Sequence, residues 1–210
     1  MITGIPAYPV QFSVDYPDRE LDRLTTFFRP IVAVRILVIA AAVSGTTLRY
    51  GQASGTTELL GGGLLFLPTL LMILFRQKYP RWWFEWNREL LRFSNRVTAY
   101  LALLDDRYPS TDEQQSVHLD FAYPDAREAL NRWLPLVKWL LAIPHYIVLA
   151  FLDIAAVVVV IIAWVAILIT GRYPRSLFDF VVDVLRWHNR VAGYALVLVT
   201  DEYPPFRLRA

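Results

Sequence analysis

The stretch from Leu134 to Thr170 reads LPLVKWLLAIPHYIVLAFLDIAAVVVVIIAWVAILIT, and only Lys138, His145 and Asp153 interrupt its apolar residues. A helix that is apolar on every side has no place on the surface of a water-soluble domain, and a run of this length suits a bilayer. The chain is therefore predicted to be a membrane protein, and the rest of the sequence is interpreted from that point.

As one straight helix the same stretch would be about 55 Å long, far more than a single span needs. We therefore expect a tight helical hairpin with its turn at Leu152 and Asp153. Its two membrane segments would lie at residues 136–151 and 154–170.

The composition supports a membrane protein and excludes several classes of function. Hydrophobic residues make up 56% of the 210, and the mean hydropathy is +0.37, which is high for a soluble domain. The formal net charge of +2 gives no overall footprint for nucleic acid, so no nucleic-acid partner is expected. The absence of cysteine rules out disulfides, thiolate metal sites and a cysteine nucleophile.

Several motifs occur twice in the chain. VDYPD at Val14 to Asp18 recurs as FAYPD at Phe121 to Asp125. The longest match sets KYPRWWFEWNRELLRFSNRVTAY, Lys78 to Tyr100, against RYPRSLFDFVVDVLRWHNRVAGY, Arg172 to Tyr194. Matches in the same order predict two tandem copies of one unit.

The two predicted units cover residues 1–112 and 113–210. Each opens with a strand of alternating apolar and polar residues, VQFSV or VHLDF, followed by a short surface helix at residues 19–30 or 126–135. The predicted membrane segments are 31–43 and 59–75 in the first unit and 136–151 and 154–170 in the second.

An amphipathic helix follows each pair of membrane segments, at residues 82–97 and 177–191. Valine-rich and threonine-containing closing segments favour a strand after each helix, although a continued helix is the alternative. The predicted fold is thus a mainly α membrane protein with two tandem repeats and a small cytoplasmic sheet shared by both.

Arginine and tryptophan mark the amphipathic helices as membrane-surface elements. We expect their side chains to bind anionic lipid headgroups or a docking partner. The candidate residues are Arg81, Arg88, Arg92, Arg96, Arg172, Arg175, Arg186, Arg190, Trp82, Trp83, Trp86 and Trp187.

Basic residues also predict the topology. They are concentrated at the open ends of both predicted hairpins, whereas the first connecting loop carries only Arg49. By the positive-inside rule, both termini and the amphipathic helices face the cytoplasm of a multi-pass protein in a bacterial inner membrane.

Three segments, LPLVKWLLAIPHYIVL, TGRYPRSLFDFVVDVLRW and NRVAGYALVLVTDEYPPF, resemble a bacterial family of small integral membrane proteins classified as a domain of unknown function. The resemblance covers Tyr123 to Phe206, and the first unit is a weaker copy. It implies four membrane segments in tandem and no established activity, substrate or catalytic residue. The first unit departs from it, because VRILVIA stands where the family reads WLLAIPH.

Three polar residues within the apolar stretch are candidate intramembrane sites. His145 after Pro144 is either a functional group or a neutral imidazole that hydrogen-bonds locally, and the second interpretation is simpler. Lys138 is interpreted as an anchor at the cytoplasmic entrance. Asp153 is interpreted as a turn residue exposed on the far side of the membrane.

Paired carboxylates occupy matching positions after the amphipathic helices, namely Asp105 with Asp106 and Asp201 with Glu202. We expect them to pair with Arg96 and Arg190 of the preceding helices. No histidine follows at a metal-ligand spacing, so no metal and no cofactor are expected.

These patterns together predict a non-enzymatic membrane protein, a lipid-interacting scaffold or an accessory subunit of a larger membrane complex. Its partners would be anionic lipids and either other membrane proteins or further copies of itself. One alternative is a small transporter or channel with a path between the hairpins and His145 as its polar element. A second alternative is a lipid-modifying enzyme that uses the paired carboxylates.

Overall fold

A computed structural model describes residues 8–29, 66–110 and 115–209. The predicted membrane segment 31–43 and the first part of segment 59–75 lie outside these described residues. The chain is mainly helical with a small two-stranded sheet, which confirms this part of the predicted fold class.

In the described ranges, each strand is followed by three helices of very different lengths. In chain order they are β1 (Val10–Val14), α1 (residues 23–29), α2 (Phe66–Arg76), α3 (Arg81–Leu101), β2 (Val117–Phe121), α4 (Pro135–Leu141), α5 (Ile143–Thr170) and α6 (Arg175–Ala195). The two amphipathic helices predicted from the sequence correspond to α3 and α6, each extended by a few residues.

Strands β1 and β2 pair antiparallel, with Phe12 opposite Leu119. Alternation places the apolar side chains on one face, where they are buried, and the polar side chains on the other, which is exposed. The exposed outer face consists of Gln11, Ser13, Asp15, His118 and Asp120. The predicted strands and their shared sheet are confirmed.

The two long amphipathic helices pack on the buried face of this sheet, α6 over β1 and α3 over β2. Matching arginines fasten them there. The Arg186 Nε donates to the Phe12 carbonyl oxygen at 3.0 Å, and the Arg92 Nε donates to the Leu119 carbonyl oxygen at 2.9 Å. Each helix therefore packs on the strand from the other half of the sequence.

Matching tyrosines form a second recurring pair of contacts. The Tyr16 hydroxyl donates to the Tyr173 carbonyl, and the Tyr123 hydroxyl donates to the Tyr79 carbonyl. The Tyr79 and Tyr173 side chains are both buried against the phenylalanine five residues further on, with ring centroids 5.6 Å apart in each case. The YP motifs thus join the start of each helix to the end of the opposite strand.

Helix α5 is continuous, so the turn predicted at Leu152 and Asp153 is wrong. The break falls earlier, at Ala142, because Pro144 sits in the first turn of α5, where a missing N–H is tolerated. Asp153 does not stop the helix because its side chain lies at the side of α5 that faces α6. Gly171 ends the helix in the left-handed conformation, φ +74°.

Two further local predictions are wrong. The predicted helix at residues 126–135 is replaced by turns and bends over residues 126–134, ahead of α4. There the Asn131 side chain accepts from the Trp133 N–H, and Asp201 accepts from the Asn131 N–H. The segments after α3 and α6 are not strands. Leu103 and Leu198 take positive φ there, which interrupts extended backbone and directs the chain against the helix end.

Candidate membrane-binding surface

Helix α5 exposes an apolar face along its whole length. It is the one helix among the described residues that is long and apolar enough to cross a membrane, and only 11% of its most apolar 18-residue window is buried. Buried positions form a narrow stripe at His145, Leu149, Ala163 and Ile167. The exposed large side chains are Ile143, Tyr146, Ile147, Phe151, Ile154, Val157, Val158, Ile161, Ile162, Val165 and Ile169. Contact of this large apolar face with water is unfavourable, whereas lipid would cover it.

Neighbouring elements extend the apolar surface at both ends of α5. Near its C-terminal end, the Trp164 Nε1 donates to the Thr26 carbonyl of α1 at 3.1 Å, and Phe27 stacks on Trp164 with ring centroids 6.4 Å apart. Phe27 and Phe28 are half exposed beside this contact. Near the N-terminal end, Trp139 of α4 is 52% exposed. Tryptophan at both ends of an apolar helix is typical of a membrane interface.

Three of the predicted lipid-binding arginines are strongly exposed. Arg81 begins α3, and Arg172 and Arg175 lie in the turn after α5 and at the start of α6. The Arg175 guanidinium lies 4.5 Å from the centroid of the Tyr16 ring, which orients it while leaving it in solvent. Trp82 is also strongly exposed. Arg81 and Arg175 occupy matching positions in the YPR motifs that follow the two apolar segments.

Other predicted lipid-binding residues face inward. Arg190 is 2% exposed and donates to the Arg207 and Leu208 carbonyls, and Trp187 is likewise buried. Arg92 and Arg186 are engaged with the sheet, and the Arg96 Nη1 donates to the Ser110 carbonyl at 2.6 Å. These side chains fix the helices to neighbouring backbone, so Arg190 and Trp187 are corrected to structural residues. Sequence periodicity places Arg190 on the polar side of the helix but does not show that the tail covers that side.

Some of the predicted residues are intermediate between these two groups. Trp86 is 44% exposed and stacks on the partly buried Trp83, with ring centroids 5.2 Å apart. Arg88 forms an ion pair with Glu89 at 3.4 Å. Trp86 therefore extends the exposed aromatic surface that begins at Trp82, whereas Arg88 is partly neutralised.

His145 is fully buried in an aromatic cluster formed with the C-terminal tail. The Trp187 Nε1 donates to the His145 Nδ1 at 3.1 Å, and the Phe206 ring stacks on the imidazole at 3.9 Å between centroids. The Tyr203 ring centroid lies 4.9 Å from that of the imidazole. The tail thus covers His145, and the imidazole serves to join α5 to α6.

Lys138, in the middle of α4, is also fully buried. Its ammonium lies 2.6 Å from the Asp201 Oδ1, donates to the Thr200 carbonyl at 2.7 Å and lies 5.1 Å from the centroid of the Tyr194 ring. Desolvation by burial lowers the pKa of Lys138, and the Asp201 carboxylate opposes that shift. Lys138 therefore fastens α4 to the chain after α6, and the predicted solvent-reaching anchor is wrong.

Asp153 lies beside α6 rather than on the far side of a membrane, contrary to the prediction. Its Oδ2 is 3.4 Å from the His188 Nε2, and both side chains are partly exposed. The His188 Nδ1 lies 3.1 Å from the Val184 carbonyl oxygen, an acceptor, so this nitrogen carries the proton. Apolar grooves of about 210 and 380 Å³ flank Asp153 on its two sides.

The paired carboxylates do not contact Arg96 or Arg190, so that predicted pairing is wrong. Arg19, from the segment after β1, pairs with Asp106 and lies 3.5 Å from Asp105, while Lys138 holds Asp201. Asp105, Asp106 and Asp201 thus each lie beside a cation from an earlier part of their own half of the sequence. In the part of the chain that the structure describes, no group of three His, Asp or Glu side chains is placed to hold a metal ion.

Sequence reasoning missed two buried polar contacts. Arg29 is 2% exposed, and its Nη1 donates to the Tyr100 and Asp105 carbonyls at 3.1 and 2.8 Å. Asn95 and Asn189, which are 94 positions apart, exchange side-chain hydrogen bonds. The recurrence of Asn-Arg in both helices was a usable signal for the asparagines, since a repeated polar residue on a packed face needs a partner.

Comparison with known proteins identifies part of this chain. No curated protein and no solved structure matches it significantly. Residues 133–207 match a protein family described as "Domain of unknown function (DUF4389)". The match begins just before α4 and includes α5, α6 and the tail that covers His145. The long apolar face of α5 therefore lies within the segment that matches this family of unknown function.

Proposed function

We propose that the protein is a lipid-interacting membrane scaffold, or an accessory subunit of a larger complex, in the bacterial inner membrane. The observation that carries this proposal is the exposed apolar face of α5, which runs the length of a 28-residue helix. At about 25 cal/mol per Å², covering such a face with lipid stabilises the bound state by many kcal/mol. The multi-pass arrangement with both termini in the cytoplasm stays a prediction.

Charged and aromatic side chains support binding to an anionic surface. Arg172 and Arg175 follow the C-terminal end of α5, and Arg81 and Trp82 follow α2 in the same way. Each arginine near an anionic surface contributes about 1 kcal/mol, which salt can screen. The three arginines have the exposed acidic neighbours Glu85, Glu20 and Asp179 at 3.3, 3.8 and 3.6 Å, so about 3 kcal/mol is the upper limit of their joint contribution. The apolar contribution from α5 is insensitive to salt.

The chemistry of the described residues favours a scaffold over a transporter or an enzyme. His145, the polar element of the transporter hypothesis, is covered by Phe206 rather than placed along an open path. Asp105 and Asp201, the carboxylates of the enzyme hypothesis, are bound to cations. The polar outer face of the sheet remains exposed to water on the opposite side of the molecule from α5, where a partner protein has access.

We further propose that the chain is two tandem copies of one unit, as the sequence motifs predict. The recurring arginine and tyrosine contacts support this, since Arg92 and Arg186 bind matching strand carbonyls. A two-fold relation between halves would place their apolar segments on the same side of the sheet, and this would widen the membrane-facing surface.

Flotation with lipid vesicles tests the lipid interaction. Detergent-purified protein is diluted into vesicles of zwitterionic lipid, with and without an anionic lipid, at low and high salt. We expect binding to both vesicles, tighter binding to the anionic one, and loss of only that extra affinity at high salt. The variant Arg172→Ala/Arg175→Ala should lose most of the extra affinity for anionic vesicles.

A matched control is Arg107→Ala/Arg127→Ala, which removes the same charge from two other exposed positions. It should keep the preference for anionic vesicles. Equal losses in both variants would show that net charge, rather than the end of α5, determines the preference. Failure to float with either vesicle would overturn the proposed function.

Purification from the native membrane in a mild detergent separates the scaffold from the accessory subunit. A stoichiometric protein partner identified by mass spectrometry would support the accessory subunit. A homo-oligomer that carries only lipid would support the scaffold. A copurifying small solute instead of lipid or protein would support the transporter alternative.

A further inference from the structure

The axes of strand β1 and helix α6 are aligned, with the two chain segments running in opposite directions. The contacts follow one another along both elements. Gly193 lies so close to Val10 that an added Cβ would be 2.5 Å from the Val10 Cγ2. Further along, the Arg186 Nε donates to the Phe12 carbonyl, and the Phe178 ring packs on the Tyr16 ring with centroids 5.0 Å apart. The start of β1 therefore meets the end of α6, and the end of β1 meets its start.

Helix α5 runs along the opposite side of α6, again over most of its length. Of the two grooves that flank Asp153, one is lined by Tyr146 of α5 and by Leu196 at the end of α6. The other is lined by Val160 of α5 and Val181 of α6. The sheet, α6 and α5 are therefore three layers with nearly parallel axes. The apolar face of α5 is on the outside of one layer, and the polar face of the sheet is on the outside of the other.

This arrangement of layers restricts the orientation that the α5 axis can take in a bilayer. If α5 stood upright across the membrane, α6 and the sheet would stand upright beside it at the same depth. The exposed Asp15, His118 and Asp120 would then enter the hydrocarbon, where no water solvates them. With α5 parallel to the surface, the same layers rise out of the leaflet into water.

Asp153 gives an independent indication of the same orientation. It lies three to four residues from the centre of α5, about 5 Å from the midplane of an upright helix, where a charged group is strongly disfavoured. Its side chain is half exposed at the junction with α6, where His188 lies. In a helix parallel to the surface, that junction falls at headgroup depth, where water reaches both groups.

We propose that α5 lies in the plane of one leaflet, with its apolar face among the acyl chains and with α6 and the sheet on the aqueous side, rather than crossing the membrane. This inference rests on the proposed lipid interaction and specifies its geometry. The partner is a lipid surface, because the exposed apolar face is continuous over α5 and bounded by Trp139 and by the cationic Arg172 and Arg175.

Depth-dependent quenching tests this orientation, and the natural absence of cysteine makes the labelling simple. An environment-sensitive fluorophore is attached to the single-cysteine variants Ile147→Cys, Val158→Cys and Ile169→Cys, which follow the exposed face from end to end. Ser13→Cys on the outer face of the sheet is the control. Each labelled protein is reconstituted in vesicles that carry a spin-labelled lipid quencher, either near the headgroup or near the chain end.

An in-plane helix gives the same ratio of shallow to deep quenching at all three positions, and no quenching at Ser13→Cys. A spanning helix gives deep quenching at Val158→Cys and shallow quenching at the two ends, and this result would overturn the in-plane proposal while leaving lipid binding intact. Absence of quenching at all positions would overturn the in-plane orientation and the proposed function together.

A second measurement uses a membrane-impermeant maleimide on sealed vesicles and the exposed positions Glu128→Cys and Ser176→Cys, which lie before α4 and after α5. Both should be labelled from the same side as Ser13→Cys if α5 lies in one leaflet. Labelling of Glu128→Cys and Ser176→Cys from opposite sides of the vesicle would contradict the proposal. This result does not depend on the quenching ratios.

Discussion

The side chains of Asn95 and Asn189 face each other between α3 and α6 and exchange two hydrogen bonds. The Asn95 Nδ2 donates to the Asn189 Oδ1 at 2.8 Å, and the Asn189 Nδ2 donates to the Asn95 Oδ1 at 2.7 Å. Each amide also donates to the carbonyl oxygen four residues earlier in its own helix. Both residues are buried, so the pair satisfies itself without water.

Removing one asparagine should therefore cost more than removing both. Asn95→Ala leaves the buried Asn189 Oδ1 without its donor, and we expect a loss of about 1–3 kcal/mol in the free energy of unfolding. Asn95→Leu/Asn189→Leu should recover part of that loss, because no polar group is left without a partner. Denaturant unfolding in detergent, followed by tryptophan fluorescence, measures both values. Additive losses in the double variant would show that the two amides act independently.

Gly193 allows α6 to approach β1. Since an added Cβ would meet the Val10 Cγ2 at 2.5 Å, Gly193→Ala should destabilise the protein by about 1–3 kcal/mol. Val10→Ala removes the clashing methyl group and should restore part of the loss when combined with Gly193→Ala. The free energies of unfolding of the single and double variants measure this coupling. No coupling between the two changes would contradict the close approach.

Lys138 should be needed for the stability of the C-terminal domain. Lys138→Met removes the cation beside Asp201 and should cost about 2–4 kcal/mol, less than the loss of a wholly buried pair because Asp201 retains some solvent. Lys138→Met/Asp201→Asn should be more stable than Lys138→Met alone, since it leaves no unpaired carboxylate. A less stable double variant would instead indicate that Asp201 is held mainly by the Asn131 N–H.

Buried tyrosines should make the fold sensitive to alkali. Burial raises the pKa of Tyr79 and of Tyr173 above the ordinary value of 10.0. The unfolded chain therefore loses these protons near pH 10 while the folded chain keeps them, so stability is complete below that pH and falls as the pH rises further. A titration of tyrosinate absorbance should show these groups ionising together with unfolding.

Tyr79→Phe serves as the control for this pH dependence. It removes one titrating group and should reduce the slope of stability against pH above 10, although it also loses the hydrogen bond to the Val197 carbonyl at 2.9 Å. An unchanged slope in this variant would show that other groups cause the alkaline unfolding.

Local sequence patterns correctly predicted the strands and helices that have one buried and one exposed face. The alternation in VQFSV and VHLDF correctly gave both strands, and the spacing of apolar residues correctly gave α3 and α6, because each element has one buried and one exposed face. Exposed Arg81, Arg172 and Arg175 were identified for the same reason. These residues lie at the ends of helices, where only the nearest neighbours determine exposure.

Tertiary packing decided the features that were predicted wrongly. Asp153 interrupts an apolar run in the sequence, and only the position of α6 shows that the helix can continue past it. Arg190 lies on a polar side that the tail at Arg207 covers, and Lys138 finds its carboxylate on a segment far along the chain. Such partners come from distant parts of the sequence and leave no local periodicity.

Strand β1 lies near the start of the chain, but the elements that cover it come much later. During synthesis, Val10, Phe12 and Val14 leave the ribosome long before β2 and α6 exist to pair with them and bury them. An apolar strand left with free edges for that interval is prone to pair with other chains. Shielding of this strand by the membrane or by a chaperone until α6 is made would prevent such pairing.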